Sequence, residues 1–236
     1  MESDKKNMGG GLMTNPIYIQ VIYPHLMWLR QQRESITDKA ERMGVNAGAI
    51  LFSAIFLEGF LEDVLCGCVW HYANDSLDGK SEDLDKFEKL TSLKNYRKAF
   101  EDVGLPLDGL LTEEEREDLD AIFKFRNRIA HGQRDSYIIF HGEDFVPQST
   151  TGSHYEWLEQ FLLRKGVLEK TGNVQPNVNF GTFSDEAADW VFAAVVRLIE
   201  KLLPRFEEAG AKHLSLQTRL RTMRFLLDNR LATMKG

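Results

Sequence analysis

Apolar and polar positions fall into helical rather than strand periods over most of the chain. Residues 1–14 are polar and glycine-containing with nothing periodic to bury, and read as a flexible lead. Asn15-Pro16 predicts the first helix start, a cap followed by the residue that suits the first helical position. Pro24 should kink or interrupt that element, which leaves Ile17 to Tyr23 open to an extended reading. A helix from His25 to Met43 is expected to end at Gly44. Asn46 would cap the next helix, which runs to about Ala73 and is apolar around most of its circumference, as a central bundle member would be.

Asn74-Asp75 and Gly79 then mark a turn, and a shorter, more polar helix over 83–103 stops at Gly104-Leu105-Pro106. Thr112 and Glu115 form a capping-box pattern, with acids in the first turn, for a helix that reaches His131-Gly132. Residues 133–183 break the pattern. Tyr137 to Phe140 reads as a short strand, His154 to Glu169 as a helix, and Gly, Pro, Asn and Thr fill the rest. Ser184 caps a strong helix in which Ala187, Trp190, Val191, Ala194, Val195, Leu198, Ile199 and Leu202 recur at bundle spacing. Pro204 bends its end, Gly210 closes it, and His213 to Met234 forms one more amphipathic helix. The expected architecture is an all-α antiparallel bundle over residues 15–211, with a small mixed α/β insertion at 133–183 and a basic C-terminal helix at 212–236.

The composition, 43% hydrophobic and 28% charged, is that of an ordinary globular protein and excludes wholesale disorder. The apolar stretch Ala47 to Trp70 carries Glu58, Glu62 and Asp63, which would be costly in lipid, so it reads as a core helix and no membrane association is expected. The N-terminus lacks the apolar segment of a secretory signal, making the cytoplasm the expected compartment. Cys66 and Cys68 point about 200° apart on a helix, which opposes both an intrahelical disulfide and a chelate. A net charge of −7 argues against broad, charge-driven nucleic-acid binding but allows a local contact. The C-terminus, with Arg219, Arg221, Arg224 and Arg230 against Asp228, is a basic island that serves as either a solvated face or a functional patch.

Two anomalies stand out. On the helix that starts at Thr112, Leu119, Ile122, Phe123, Phe125, Ile129 and Ala130 define an apolar arc, and Arg126 falls inside it. On the long apolar helix, Glu58 and Glu62 project into the stripe of Leu51, Ile55, Leu65 and Val69. An ion pair between Arg126 and Glu58 or Glu62 solves both, because a buried charge is tolerable only when paired. His131, at the end of its helix and one turn beyond Asn127, sits where the dipole favours its protonated form. Arginine, asparagine and histidine together could bind a phosphate and move a proton without metal; equally, they could form a structural polar cluster. No P-loop, dinucleotide fingerprint or zinc-ligand pattern is present, so no cofactor is expected.

The run Phe125-Arg126-Asn127-Arg128-Ile129-Ala130-His131-Gly132 resembles the Arg-polar-x-x-x-His signature of HEPN domains, helical bundles found in RNA-cleaving toxins and abortive-infection proteins. The likeness extends over residues 45–131 and 184–209. It implies a metal-independent endoribonuclease with Arg126, Asn127 and His131 as its site and Glu58 or Glu62 in support. It also implies RNA as substrate, a homodimer, and an antitoxin or regulatory protein as a further partner. The competing expectation is a non-catalytic interaction or regulatory module.

Overall fold

The computed structural model describes residues 18–73, 90, 92–131, 154–167, 183–210 and 214–232. Among them the protein is an all-α bundle of seven α-helices, with no strand. They are α1 (Tyr23–Ser35), α2 (Lys39–Ala73), α3 (Leu93–Asp102), α4 (Glu113–His131), α5 (His154–Arg164), α6 (Asp185–Ala209) and α7 (Leu214–Ala232). The strand expected at Tyr137 to Phe140 and most of the 133–183 segment lie outside the described residues. The expected α5 is present but stops at Arg164, where Gly166 turns the chain with φ 68°.

Helix α2 organises the rest. Its 35 residues extend for about 50 Å and pack against α1, α3, α4, α6 and α7. Phe56, Leu57, Phe60, Leu61, Val64 and Leu65 are almost wholly buried. Two glycines let neighbours approach its backbone. The side chain of Tyr18 lies against Gly59, and Leu216 and Arg219 of α7 lie against Gly67. Between them Asp63 accepts hydrogen bonds from Tyr18 (3.4 Å) and from Nε of Arg219 (3.0 Å). The basic C-terminal helix is thereby docked: Leu216, Leu220, Met223 and Leu227 are buried, and Arg224 pairs with Glu207 of α6. At least two of its arginines serve as anchors.

Further boundaries differ from the sequence expectation. The helix expected over 83–103 is not continuous: residues 90 and 92 are non-helical, and α3 starts at Leu93, where Ser92 caps it by accepting from the amide of Asn95. Tyr18–Ile22 is a π-helical turn that leads directly into α1, so the described part of the 17–23 stretch is helical rather than extended. Pro24 falls in the first turn of α1, at the junction with the π-helical turn, so it marks a change of helical winding rather than an interruption. Next, α1 ends at Ser35 rather than Met43. Ile36 is extended (φ −89°, ψ 121°), and the Asp38 carboxylate accepts from the amide of Glu41 to start α2. Gly44 therefore lies inside α2, where a glycine costs only about 1 kcal/mol. Finally, Asn46 is no cap: buried in α2, it donates to the Phe183 carbonyl and to Asp185, both at 2.9 Å. Asp185 also accepts from Arg42, while Arg30 and Arg33 grip Asp189, so this lattice ties α1 and α2 to the start of α6.

Local signals at the other ends hold. Thr112 and Glu115 cap each other's backbone amides (2.8 and 3.3 Å), and Ser184 accepts from the amide of Ala187. Burial opposes a charge on Glu115, yet hydrogen bonds from Arg205, the Thr112 amide and Lys201 hold its pKa down at about 2. Its neighbour Asp118 pairs with both Lys165 and Arg197 at 2.9 Å.

Opposite outcomes are expected for two alanine substitutions in the same helix. A Cβ at Gly59 would lie 2.7 Å from Cβ of Tyr18, so Gly59→Ala should cost about 1–3 kcal/mol in urea unfolding. At Gly44 nothing lies within 4 Å of the added Cβ, and Gly44→Ala should stabilise by about 1 kcal/mol. Equal signs for the two would refute the account of α2.

Candidate functional site

Arg126 lies on the second turn from the end of α4, opposite the middle of α2. Phe125 on its N-terminal side is fully buried and fixes that face of α4 in the core. The Arg126 side chain is 15% exposed and that of Glu58 is 11% exposed, so the two charges meet in a largely water-free setting. Nη2 of Arg126 donates to Oε2 of Glu58 (3.3 Å), and Nε lies 3.0 Å from Oε1. The second contact is off the N–H axis, and Oε1 is buried with no hydrogen bond. On its other side Arg126 donates from Nη1 to Oδ1 of Asn127 at 2.8 Å.

Glu58, not Glu62, is therefore the carboxylate paired with Arg126, through one hydrogen bond at Oε2 and a close ionic contact at Oε1. Glu62, one turn further along α2, accepts a 2.6 Å hydrogen bond from the hydroxyl of Tyr96 on α3. Tyr96 is fully buried, and burial together with the Glu62 carboxylate pushes its pKa well up, so it remains a donor at any ordinary pH. Burial raises the pKa of Glu58 to about 7; the positive charge of Arg126 opposes this and the negative charge of Glu62 adds to it. Two carboxyls one turn apart on α2 thus share a neighbourhood with a single guanidinium, which one of them grips.

His131 is the last residue of α4, four positions beyond Asn127 and so about 6 Å further along the axis. The position of its side chain lies outside the described residues. The structure brings Arg126, Asn127, Glu58 and Glu62 into one cluster, and the backbone of α4 puts His131 at the adjoining helix end.

Sequence reasoning missed two members of this neighbourhood. Tyr96 looks like any core aromatic, and its only signal is a phenolic hydroxyl that must find a partner when buried. The helical wheel puts Ala130 on the apolar arc and leaves Arg128 off it, yet Ala130 is exposed and Arg128 is 6% exposed. The reason is tertiary: Phe183, ahead of α6, lies under the guanidinium of Arg128 at 5.1 Å and covers that side of α4.

Elsewhere, a cleft lined by Leu110, Thr112, Arg205 and Glu208 opens at the other end of α4, roughly 20 Å along the helix from Arg126. Its arginine is already engaged by Glu115 and the Leu110 carbonyl. Cys68 is buried, and burial pushes its thiol up to about 12, which leaves it unreactive. Among the described residues no three His, Cys, Asp or Glu side chains converge as a metal-binding group, and no helix is long and apolar enough to cross a membrane. In comparisons with known proteins the chain matches no family model, no curated protein and no solved structure.

The raised pKa of Glu58 makes stability depend on pH with a defined sign. A carboxyl that holds its proton more tightly when folded contributes stability fully present below its unfolded pKa, near 4.5, and lost as pH rises through about 7. Glutamine cannot ionise, so the stability of wild type relative to Glu58→Gln should fall by up to about 3 kcal/mol between pH 5 and pH 8. Urea titrations across that range check it, and a pH-independent difference would show that Glu58 is not perturbed.

Proposed function

We propose that this protein is a metal-independent endoribonuclease of the HEPN type, active as a homodimer. The observation that carries the reading is the Arg126 cluster. A guanidinium held by Glu58 and Asn127 lies near the end of a core helix of an all-α bundle, on the helix that ends in His131. That spacing of Arg126, Asn127 and His131 is the one the HEPN signature requires. In the reaction, a ribose 2′-hydroxyl attacks the adjacent phosphorus, and the bond to the 5′-oxygen of the next nucleotide breaks. The products are a cyclic phosphate and a 5′-hydroxyl. His131 takes the proton from the nucleophile or delivers one to the leaving oxygen, Arg126 stabilises the charge on the pentavalent phosphate, and Asn127 orients Arg126. Both proton transfers are needed and each chain supplies one His131, which favours two copies meeting at their α4 ends. A role as a toxin or phage-defence effector, kept in check by an antitoxin or regulatory protein, fits such an activity.

One observation favours a second reading, a non-catalytic interaction module. Arg126 is only 15% exposed and is already engaged by Glu58 and Asn127, as a structural cluster would be.

Purified protein should cut single-stranded RNA in the presence of EDTA, and His131→Ala should abolish cutting with little loss of stability, because a side chain at a helix end supports little packing. Arg126→Ala should abolish cutting and also destabilise by about 3–5 kcal/mol, since it strands Glu58 in the core. That cost should be smaller at pH 6 than at pH 8, where a stranded Glu58 is more fully ionised. If varied RNAs stay intact, and His131→Ala behaves as wild type in cells, the interaction module replaces the nuclease. Light scattering at micromolar concentration should give twice the 27.1 kDa chain mass; a strict monomer would count against the paired site.

A further inference from the structure

The acidic side of the Arg126 site holds more carboxylate than one arginine needs. Glu58 and Glu62 are one turn apart on α2, and both act on the same region of α4 and α3. With both ionised the cluster of Arg126, Glu58 and Glu62 carries a net charge of −1, which repels a phosphate. With one protonated it is neutral, and Arg126 can exchange its carboxylate partner for a phosphate oxygen. The function of the site therefore turns on which carboxyl takes the proton.

Geometry distinguishes the two. Glu62 is given a short, 2.6 Å hydrogen bond by a fully buried tyrosine that cannot turn to solvent. A donated hydrogen bond of this kind favours the ionised form of the acceptor. Glu58 has no such donor at Oε1, which is buried without a hydrogen bond. The charged and titratable groups that bear on Glu58 among the described residues are Arg126 from α4 and Glu62 from its own helix, with Tyr96 reaching the pair from α3. Placing the proton on Glu58 takes the charge off a buried oxygen that accepts no hydrogen bond and leaves the hydrogen-bonded carboxylate charged.

We propose that Tyr96 and Glu62 are positioning residues of the Arg126 site: Tyr96 holds the negative charge on Glu62, so the proton shared by the two glutamates rests on Glu58, and Arg126 is released to bind a phosphate group. Anion binding is then coupled to proton uptake. Below pH about 7 Glu58 is neutral and Arg126 accepts the phosphate; above it Glu58 is ionised and competes for Arg126. The phosphate is that of the RNA in the ribonuclease reading, on which this inference rests.

Two measurements on the full chain test the proposal separately from that reading. Carbon NMR of the glutamate carboxyls, with Glu58 identified by the signal missing in Glu58→Gln, should show Glu58 titrating near neutrality and Glu62 well below it. Tyr96→Phe, which keeps the packed ring and removes only the hydroxyl, should raise the Glu62 midpoint and lower that of Glu58. Midpoints unchanged in Tyr96→Phe, or Glu62 titrating above Glu58, would overturn the proposal. The second measurement is binding of a 2′-O-methyl oligoribonucleotide, which lacks the nucleophile and cannot be cut. Its affinity should fall by about tenfold per pH unit above pH 7 in wild type, be flat in Glu58→Gln, and break at lower pH in Tyr96→Phe. A wild-type affinity that does not change with pH would overturn the coupling. An oligonucleotide that binds at no pH would overturn the ribonuclease reading, and the carboxyl titrations would then decide the proton placement alone.

Discussion

A long apolar helix that carries carboxylates in its buried middle must find a cation or donor for each of them, and the bundle is arranged around that requirement. Within six positions of α2, Glu58 meets Arg126 of α4, Glu62 meets Tyr96 of α3, and Asp63 meets Arg219 of α7 together with Tyr18. Each acid selects a different neighbour. Hydrophobic burial supplies the drive to collapse onto α2 but is indifferent to register. Sliding α4 by one turn would leave the apolar faces in contact while separating Arg126 from Glu58, at the cost of two unpaired charges in a dry interior. The glycines on either side of Asp63 act with the ion pairs, since Gly59 and Gly67 let Tyr18 and Arg219 come close enough to reach it.

Stability alone does not explain why Glu58 is so weakly held in its ionised form beside its arginine. An ion pair tuned only to hold two helices together would keep its carboxylate fully ionised, as Glu115 and Asp185 are kept by their arginine partners. Glu58 is different. Burial and the charge of Glu62 work against its ionisation, and Arg126 only partly offsets them. The pair is thus less firmly ionised than those of Glu115 and Asp185, a property that the exchange of partners proposed above requires.

The parts of this arrangement that could be read from sequence are those whose cause is local or whose anomaly is large. Thr112 with Glu115, and Ser184 with Ala187, act within one turn, so their spacing in the chain is already their geometry. Arg126 and Glu58 could be paired on paper because each violates an apolar face and each needs the other's charge. Asn46 could not. Followed by a helical stretch it looks like a cap, and its partner Asp185 is 139 positions away. Gly44 misleads for a related reason, since a helix of 35 residues packed on five other helices absorbs the small penalty of one glycine. The two arginines of α4 show the limit most directly. The helical wheel places Arg126 correctly but not Arg128, whose burial depends on Phe183, a residue just ahead of another helix.

Burial of Arg126 cuts both ways for function, and the balance can be reasoned from charge. A guanidinium in water binds a phosphate weakly because solvent competes, whereas a desolvated one binds strongly if its existing partner can be dismissed cheaply. Dismissing an ionised glutamate into an apolar core costs several kcal/mol, which would cancel the gain. A glutamate that takes up a proton as it is displaced avoids most of that cost, because the neutral acid has no charge to desolvate. The low exposure that makes Arg126 look structural is thus compatible with anion binding only when its partner is a carboxyl poised to protonate. Glu58, with one oxygen lacking a donor and a second carboxylate one turn away, meets that condition.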